Sequence, residues 1–111
     1  DVVMAGNIGP NLLDTWRERQ AGVGLPAVWV LELSSFQLDG VEGFEPTAST
    51  VLNLSEDHLD WHGDMDAYGA AKARIVGSTG LLVLNRSDAL GIFNKFIREF
   101  YSLSHRGLLI L

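Results

Sequence analysis

The sequence contains no cysteine, so it can form neither a disulfide framework nor a zinc site with thiolate ligands. Its unbroken apolar runs are short: residues 27–31 and 108–111 are far below the length that crosses a bilayer. No basic segment followed by an apolar stretch opens the chain, so we expect no signal peptide. Together these absences predict a cytoplasmic protein without a membrane partner.

Lysine and arginine are absent between Arg19 and Lys72, a stretch that holds nine acidic residues. Residues 1–71 carry a net charge of −10, whereas residues 72–111 carry +4. No contiguous basic surface is apparent, so we expect no nucleic-acid partner. The acidic stretch is either a solvated surface or a site for a divalent cation, which prefers carboxylate oxygens.

Strand-like and helix-like patterns alternate along the 111 residues, 47% of which are hydrophobic. Apolar runs predict strands at residues 2–5, 27–33, 49–54, 81–85 and 108–111. Amphipathic spacing predicts helices at residues 10–20, 65–76 and 93–101. This alternation indicates an α/β fold in which an open, mostly parallel sheet is flanked by helices and covered on both faces. The length of the chain predicts about one small domain.

Three residues are expected to set the ends of these helices. Pro10 suits the first helical position, because its missing N–H would have no partner there. Gly22 is a natural stop for the first helix, and Asp64 can cap the second.

Polar residues follow three of the predicted strands, at residues 6–9, 32–37 and 53–62. Open α/β sheets bind ligands at the carboxyl ends of their strands, so these segments are candidate site regions. Glu32 ends an apolar strand, and its carboxylate is either solvated there or paired with a cation. His58 is either a nitrogen ligand beside two carboxylates or an exposed residue in a helix-capping segment.

Lys72 falls within an apolar stripe of the second predicted helix. The stripe is formed by Met65, Tyr68, Ile75 and Val76. A lysine in such a position usually extends its ammonium group into solvent. Alternatively, a desolvated lysine loses its proton and can react with carbon dioxide to form an anionic carbamate. The helical spacing is compatible with both interpretations of Lys72.

Three ordered motifs together resemble the central ATPase domain of the Mur ligases. They are GNIG at residues 6–9, ELSSFQL at 32–38 and NLSEDHLDWHGDMDAYGAAKARI at 53–75. The D-glutamate-adding members are most similar, since Phe36 stands where the diaminopimelate- or lysine-adding members more typically have histidine. The resemblance covers about residues 1–90, and residues 91–111 are not matched to the family.

The resemblance implies a P-loop NTPase-like fold, yet the phosphate loop GxxGK[ST] is absent from this sequence. We therefore expect residues 1–111 to be one partial domain, a piece of the central ATP-binding domain of a longer enzyme. Alone, this piece is expected to have no ligase activity. We also expect it to self-associate through an exposed sheet edge.

The reaction implied by the resemblance joins D-glutamate to the carboxylate of UDP-N-acetylmuramoyl-L-alanine, with ATP converted to ADP and phosphate through an acyl phosphate. In this interpretation Glu32 and His58 are magnesium ligands. Lys72 is the lysine that is carbamylated and supports a magnesium ion near the transferring phosphate. Lys72 and His58 are accordingly the expected catalytic residues.

Asn7, Ser34 and Gln37 resemble the family's contacts to the nucleotide-peptide substrate or the reaction intermediate. Two other functions stay open at this stage. One is another amide ligase of the superfamily, such as a folylpolyglutamate-type enzyme. The other is a non-catalytic acidic module that binds metal, which would bind magnesium without a nucleotide.

Overall fold

The computed structural model describes residues 1–52, 59–84 and 108–110. The strands in this part of the chain are β1 (Val2–Gly6), β2 (Val28–Glu32), β3 (Ala48–Thr50), β4 (Leu81–Leu84) and β5 (Leu108–Ile110). The helices are α1 (Leu12–Ala21), α2 (Ser35–Leu38), α3 (Leu59–His62) and α4 (Met65–Ala73). The chain divides into two compact units, Asp1–Gln37 and Leu38–Leu111. The predicted helix at residues 93–101 lies outside the described residues.

All strand pairing in the described residues is parallel. β1 pairs with β2, and β4 lies between β3 and β5. The predicted parallel α/β architecture is therefore confirmed, although these strands form two small sheets rather than one. None of the described helices is both long and apolar enough to cross a bilayer.

Helix α1 is capped by Asn11, not begun by Pro10. The Asn11 side-chain oxygen accepts two backbone N–H groups of the first turn, at 2.9 and 3.3 Å. The expectation that Pro10 would be the first helical residue was wrong, because its carbonyl instead accepts the Gly6 N–H at 3.0 Å. Gly22 is the C-cap, as predicted.

The two faces of the β1–β2 sheet differ in exposure. Ala5 is fully buried, and Val3, Trp29 and Leu31 on the same face are half-buried. On the opposite face four apolar residues are each between 47% and 64% exposed, namely Val2, Met4, Val28 and Val30. The expectation of two covered faces is therefore not met in this structure.

The core of the second unit forms where the end of α4 meets strand β4. Its buried members are Val51, Ala73, Val76, Leu82 and Leu84. Helix α4 ends at Ala73, three residues before the predicted end. Val76 leaves the helix in a turn, which lets its side chain pack against the core.

Asp64 caps α4, as predicted, and its Oδ1 accepts the Ala67 N–H at 2.8 Å. We expect Asp64→Ala to lower the free energy of unfolding by about 1 kcal/mol, because one N–H of the first turn loses its partner. Asp66→Ala is the matched control, since it removes a charge from the same turn and should cost only about 0.3 kcal/mol. Urea denaturation of both variants tests this, and equal losses would contradict the capping role.

Glu45 links the segment before β3 to the turn after α4. Its Oε2 accepts the N–H of Ser78 at 2.5 Å and that of Thr79 at 3.2 Å. Hydrogen bonding from Ser78, assisted by Thr79, lowers the pKa of the Glu45 carboxyl below its ordinary value. The ionised carboxylate therefore stabilises this turn.

We expect the Glu45 carboxylate to make its full contribution to the free energy of unfolding at pH values above its ordinary pKa. That contribution should be lost as the pH falls through the lowered pKa that the carboxyl has in the folded chain. The difference in unfolding free energy between the native chain and Glu45→Gln should therefore shrink as the pH is lowered from 7 through the acidic range. Chemical denaturation at several pH values measures that difference. Glu42→Gln controls for the loss of one exposed charge, and a pH-independent Glu45→Gln difference would refute the expectation.

Candidate functional site

The turn after β1 and the end of β2 lie in direct contact. The Asn7 N–H donates to the Glu32 backbone oxygen at 2.7 Å, and the Ile8 N–H donates to Glu32 Oε2 at 2.9 Å. The Glu32 side chain is exposed, which answers the question that the sequence left open about its burial. One carboxylate oxygen holds the turn, and a carboxylate has further acceptor capacity for a ligand.

Gly6 makes this contact possible, because it pairs with Glu32 in the parallel register. Its φ is 142°, and a Cβ built there would lie 2.0 Å from the Glu32 backbone oxygen. A side chain at Gly6 would therefore force the two strand ends apart. The structure thus brings Asn7 and Glu32 together, as the rule for strand ends predicted.

Ser34 and Gln37 form a reciprocal pair at the start of α2. The Gln37 N–H donates to Ser34 Oγ at 3.3 Å, and the Ser34 N–H donates to Gln37 Oε1 at 3.0 Å. This arrangement is a capping box, in which each side chain satisfies the other's backbone N–H. Both residues were expected as substrate contacts, and the S-x-x-Q spacing is the sequence signal that predicts their capping role. The Gln37 oxygen is engaged, so its amide nitrogen is the group left to donate to a ligand.

Lys72 is half-buried in the last turn of α4. Its Nζ lies 5.1 Å from the centroid of the Tyr68 ring, a distance at which the ring attracts an ammonium group. The His62 ring lies 5.4 Å from the same Tyr68 ring, tilted by 44°. Tyr68 is buried and therefore provides a fixed surface for both neighbours.

The remaining predicted site residue, His58, lies outside the described residues. Of the others, Asn7, Glu32, Ser34 and Gln37 belong to the first compact unit, whereas Lys72 belongs to the second. Within residues 1–52 and 59–84, no group of three or more histidine, aspartate or glutamate side chains is arranged to hold a metal ion.

Comparison with known families shows the family to which this chain belongs. The sequence profile of the Mur ligase middle domain matches residues 20–106. The chain belongs to the Mur ligase family. The match reaches residue 106 and so includes residues 91–106, which the resemblance read from the sequence does not cover.

Several Mur ligases are highly similar to this chain. The UDP-N-acetylmuramoylalanine–D-glutamate ligase of Albidiferax ferrireducens is 63% identical over 87 residues, covering 78% of this chain and 17% of that enzyme. An enzyme of the same name from a Polaromonas species is 63% identical, covering 78% and 15%. The one from Paraburkholderia xenovorans is 57% identical over 88 residues, covering 79% and 18%. The chain thus spans less than a fifth of the length of these relatives.

Proposed function

We propose that this chain forms part of the middle domain of a cytoplasmic ligase that adds D-glutamate to UDP-N-acetylmuramoyl-L-alanine in peptidoglycan synthesis, with ATP converted to ADP and phosphate. The observation that carries this proposal is the position of Glu32. Its carboxylate is exposed at the carboxyl end of β2 and fixed by the Ile8 N–H at 2.9 Å. The similarity to enzymes named as D-glutamate ligases supports the choice of amino acid.

The donor chemistry at Glu32 fits a magnesium ion. Magnesium is usually bound by one or two carboxylates, with phosphates and water completing its coordination. One fixed, exposed carboxylate is therefore sufficient from this part of the chain, and we propose His58 as a second ligand. Bound magnesium would neutralise charge on the phosphoryl group that is transferred from ATP. The Ile8 N–H holds Glu32 for this role.

The proposed reaction has two steps. The carboxylate of UDP-N-acetylmuramoyl-L-alanine attacks the γ-phosphorus of ATP, which releases ADP and forms an acyl phosphate. The amine of D-glutamate then attacks the acyl carbon, loses a proton and displaces phosphate. Asn7 and Gln37 present amide groups that can bind oxygens of the nucleotide-peptide substrate. Ser34 acts through its hydrogen bonds to Gln37.

We propose that Lys72 acts as a carbamate in the working enzyme. The ammonium group first loses a proton. The neutral amine then adds to carbon dioxide and loses a second proton, so that a cationic side chain becomes an anion. The position of Lys72 supports this role, because the residue is half-buried in the last turn of α4 and its amine lies beside the buried Tyr68 ring. The carbamate anion would support a magnesium ion near the transferring phosphate.

A chimeric enzyme tests the proposed function. The 87-residue region of the A. ferrireducens ligase that is 63% identical to this chain would be replaced by the corresponding residues of this chain. We expect ADP release that requires both UDP-N-acetylmuramoyl-L-alanine and D-glutamate. The same chimera carrying Glu32→Ala is the control and should be inactive. A folded chimera without activity, or one that prefers another amino acid, would refute the proposal.

A further inference from the structure

The carboxylate of Glu45 holds residues 44–47, which lead into β3, against residues 77–80, which lead into β4. Its Oε2 accepts the backbone N–H groups of Ser78 and Thr79 at 2.5 and 3.2 Å, and the Thr79 hydroxyl lies 3.4 Å from it. Both segments belong to the second compact unit, together with α4. We call this contact between the two segments the Glu45 junction.

Two glycines allow the segments of the Glu45 junction to approach closely. A Cβ built at Gly77 would lie 2.7 Å from Glu45 Oε2 and 2.8 Å from the Phe44 backbone oxygen. A Cβ built at Gly80 would lie 2.0 Å from the Pro46 backbone oxygen. The junction is therefore held by hydrogen bonds and has no room for a side chain between its halves at these two positions.

The Glu45 junction continues directly from the last turn of α4, which carries Lys72. The Lys72 carbonyl accepts the Ile75 N–H at 3.2 Å, and the Ala73 carbonyl accepts the Val76 N–H at 3.0 Å. The Val76 side chain is buried in the core, and Gly77 of the junction follows it. Because hydrogen bonds and core packing fix this stretch, the position of the last turn depends on where the junction holds its end.

The first turn of α4 has supports of its own. Asp64 Oδ1 accepts the Ala67 N–H at 2.8 Å, and the Asp64 carbonyl accepts the Tyr68 N–H at 3.1 Å. The Tyr68 side chain is buried. Loss of the Glu45 junction should therefore loosen the last turn of α4 and leave its first turn in place.

We propose that Glu45 is a positioning residue for Lys72, because its carboxylate holds residues 77–80 and thereby fixes the last turn of α4. The consequence for catalysis rests on the proposed function, in which the Lys72 carbamate must reach a magnesium ion. Glu45 contacts neither substrate nor metal in this role. It determines where the Lys72 amine lies, and a small displacement of a catalytic group is costly in rate.

Amide hydrogen exchange followed by NMR tests the positioning in the 111-residue chain. In Glu45→Ala we expect the Ile75 and Val76 amides to exchange at least about tenfold faster, because the end of α4 opens locally. The Tyr68 amide is the internal control and should keep its native exchange rate. Equal acceleration of all three amides would show global destabilisation and overturn the proposal. Native rates at Ile75 and Val76 would overturn it as well.

Two further variants separate the hydrogen bonds of Glu45 from its bulk. Glu45→Gln keeps an oxygen that can accept the same N–H groups, so its exchange rates should lie nearer to the native values. Gly77→Ala keeps Glu45 but places a methyl group 2.7 Å from its Oε2, so it should accelerate Ile75 and Val76 as Glu45→Ala does. Glu42→Gln removes a nearby charge and should change neither rate. Native exchange in Gly77→Ala would contradict the role of the junction.

The chimeric ligase tests the consequence for catalysis. Glu45→Ala should lower its turnover by about tenfold and leave the KM for ATP unchanged. Lys72→Ala supplied with acetate gives the decisive comparison, because acetate is an anion that is not attached to α4. Adding Glu45→Ala to that variant should leave the acetate-supported turnover unchanged. An equal loss in both backgrounds would mean that Glu45 does not act through Lys72, and it would overturn the proposal.

The positioning role and the proposed function fail separately. Local opening at Ile75 and Val76 in Glu45→Ala, together with an inactive parent chimera, would retain the junction and refute the ligase function. An active chimera whose turnover is unaffected by Glu45→Ala would refute the positioning role and retain the function. If acetate restores no activity to Lys72→Ala, the exchange rates and the turnover of Glu45→Ala decide.

Discussion

Lys72→Arg in the chimeric ligase is expected to reduce turnover by at least about a hundredfold. Arginine keeps a positive charge and can still lie over the Tyr68 ring, which is 5.1 Å from the native Nζ, so the fold should be preserved. A guanidinium group cannot form a carbamate, however, so the anion that supports the magnesium ion is lost. Steady-state ADP release, with thermal unfolding measured in parallel, tests the prediction.

Acetate provides the control for the Lys72 prediction. Lys72→Ala should be as inactive as Lys72→Arg, but acetate or another short-chain acid should restore part of its activity by refilling the anionic position. The arginine variant should not be rescued, because its side chain occupies that space. Near-native turnover by Lys72→Arg would remove the carbamate role and leave Lys72 as a lysine that extends its charge into solvent.

Gly6→Ala is expected to lower the free energy of unfolding of this chain by about 3 kcal/mol or more. The added Cβ would lie 2.0 Å from the Glu32 backbone oxygen, and the φ of 142° is unfavourable for alanine. The strands must separate at that point, which also displaces the Glu32 carboxylate. Urea denaturation measures the loss, and NMR of the Asn7 and Ile8 amides reports the displacement.

Gly9→Ala is the matched control for Gly6→Ala. Gly9 has a φ of 95° in the same turn, but nothing lies within 4 Å of a Cβ built there. Gly9→Ala should therefore lower the free energy of unfolding only by the cost of backbone strain, about 1 to 2 kcal/mol. Equal destabilisation by the two substitutions would mean that strain alone, and not the contact with Glu32, determines the effect at Gly6.

Local sequence signals determined much of the fold. Apolar runs placed β1, β2, β4 and β5 close to their observed bounds, because a buried strand needs an unbroken apolar segment. Asp64 and Gly22 were identified as helix ends, since a cap depends on residues within one turn. The proximity of Asn7 and Glu32 also followed, because parallel strands bring their carboxyl ends to one edge.

Only the tertiary structure decided features that depend on residues distant in sequence. Helix α1 begins at Leu12 and not at Pro10, and the Pro10 carbonyl accepts the N–H of Gly6 at the end of β1. The exposure of Val28 and Val30 depends on what packs against β2, which the strand's own sequence does not encode.

The candidate site also has features that the sequence predicted and features that only the tertiary structure decided. Its residue types were predictable, because a carboxylate after a strand and a lysine in an apolar stripe are local patterns. The hydrogen bond from the Ile8 N–H to the Glu32 carboxylate was not predictable, because it forms only when β1 pairs with β2. Sequence spacing determines which groups one element carries, whereas the packing of elements determines which of those groups meet.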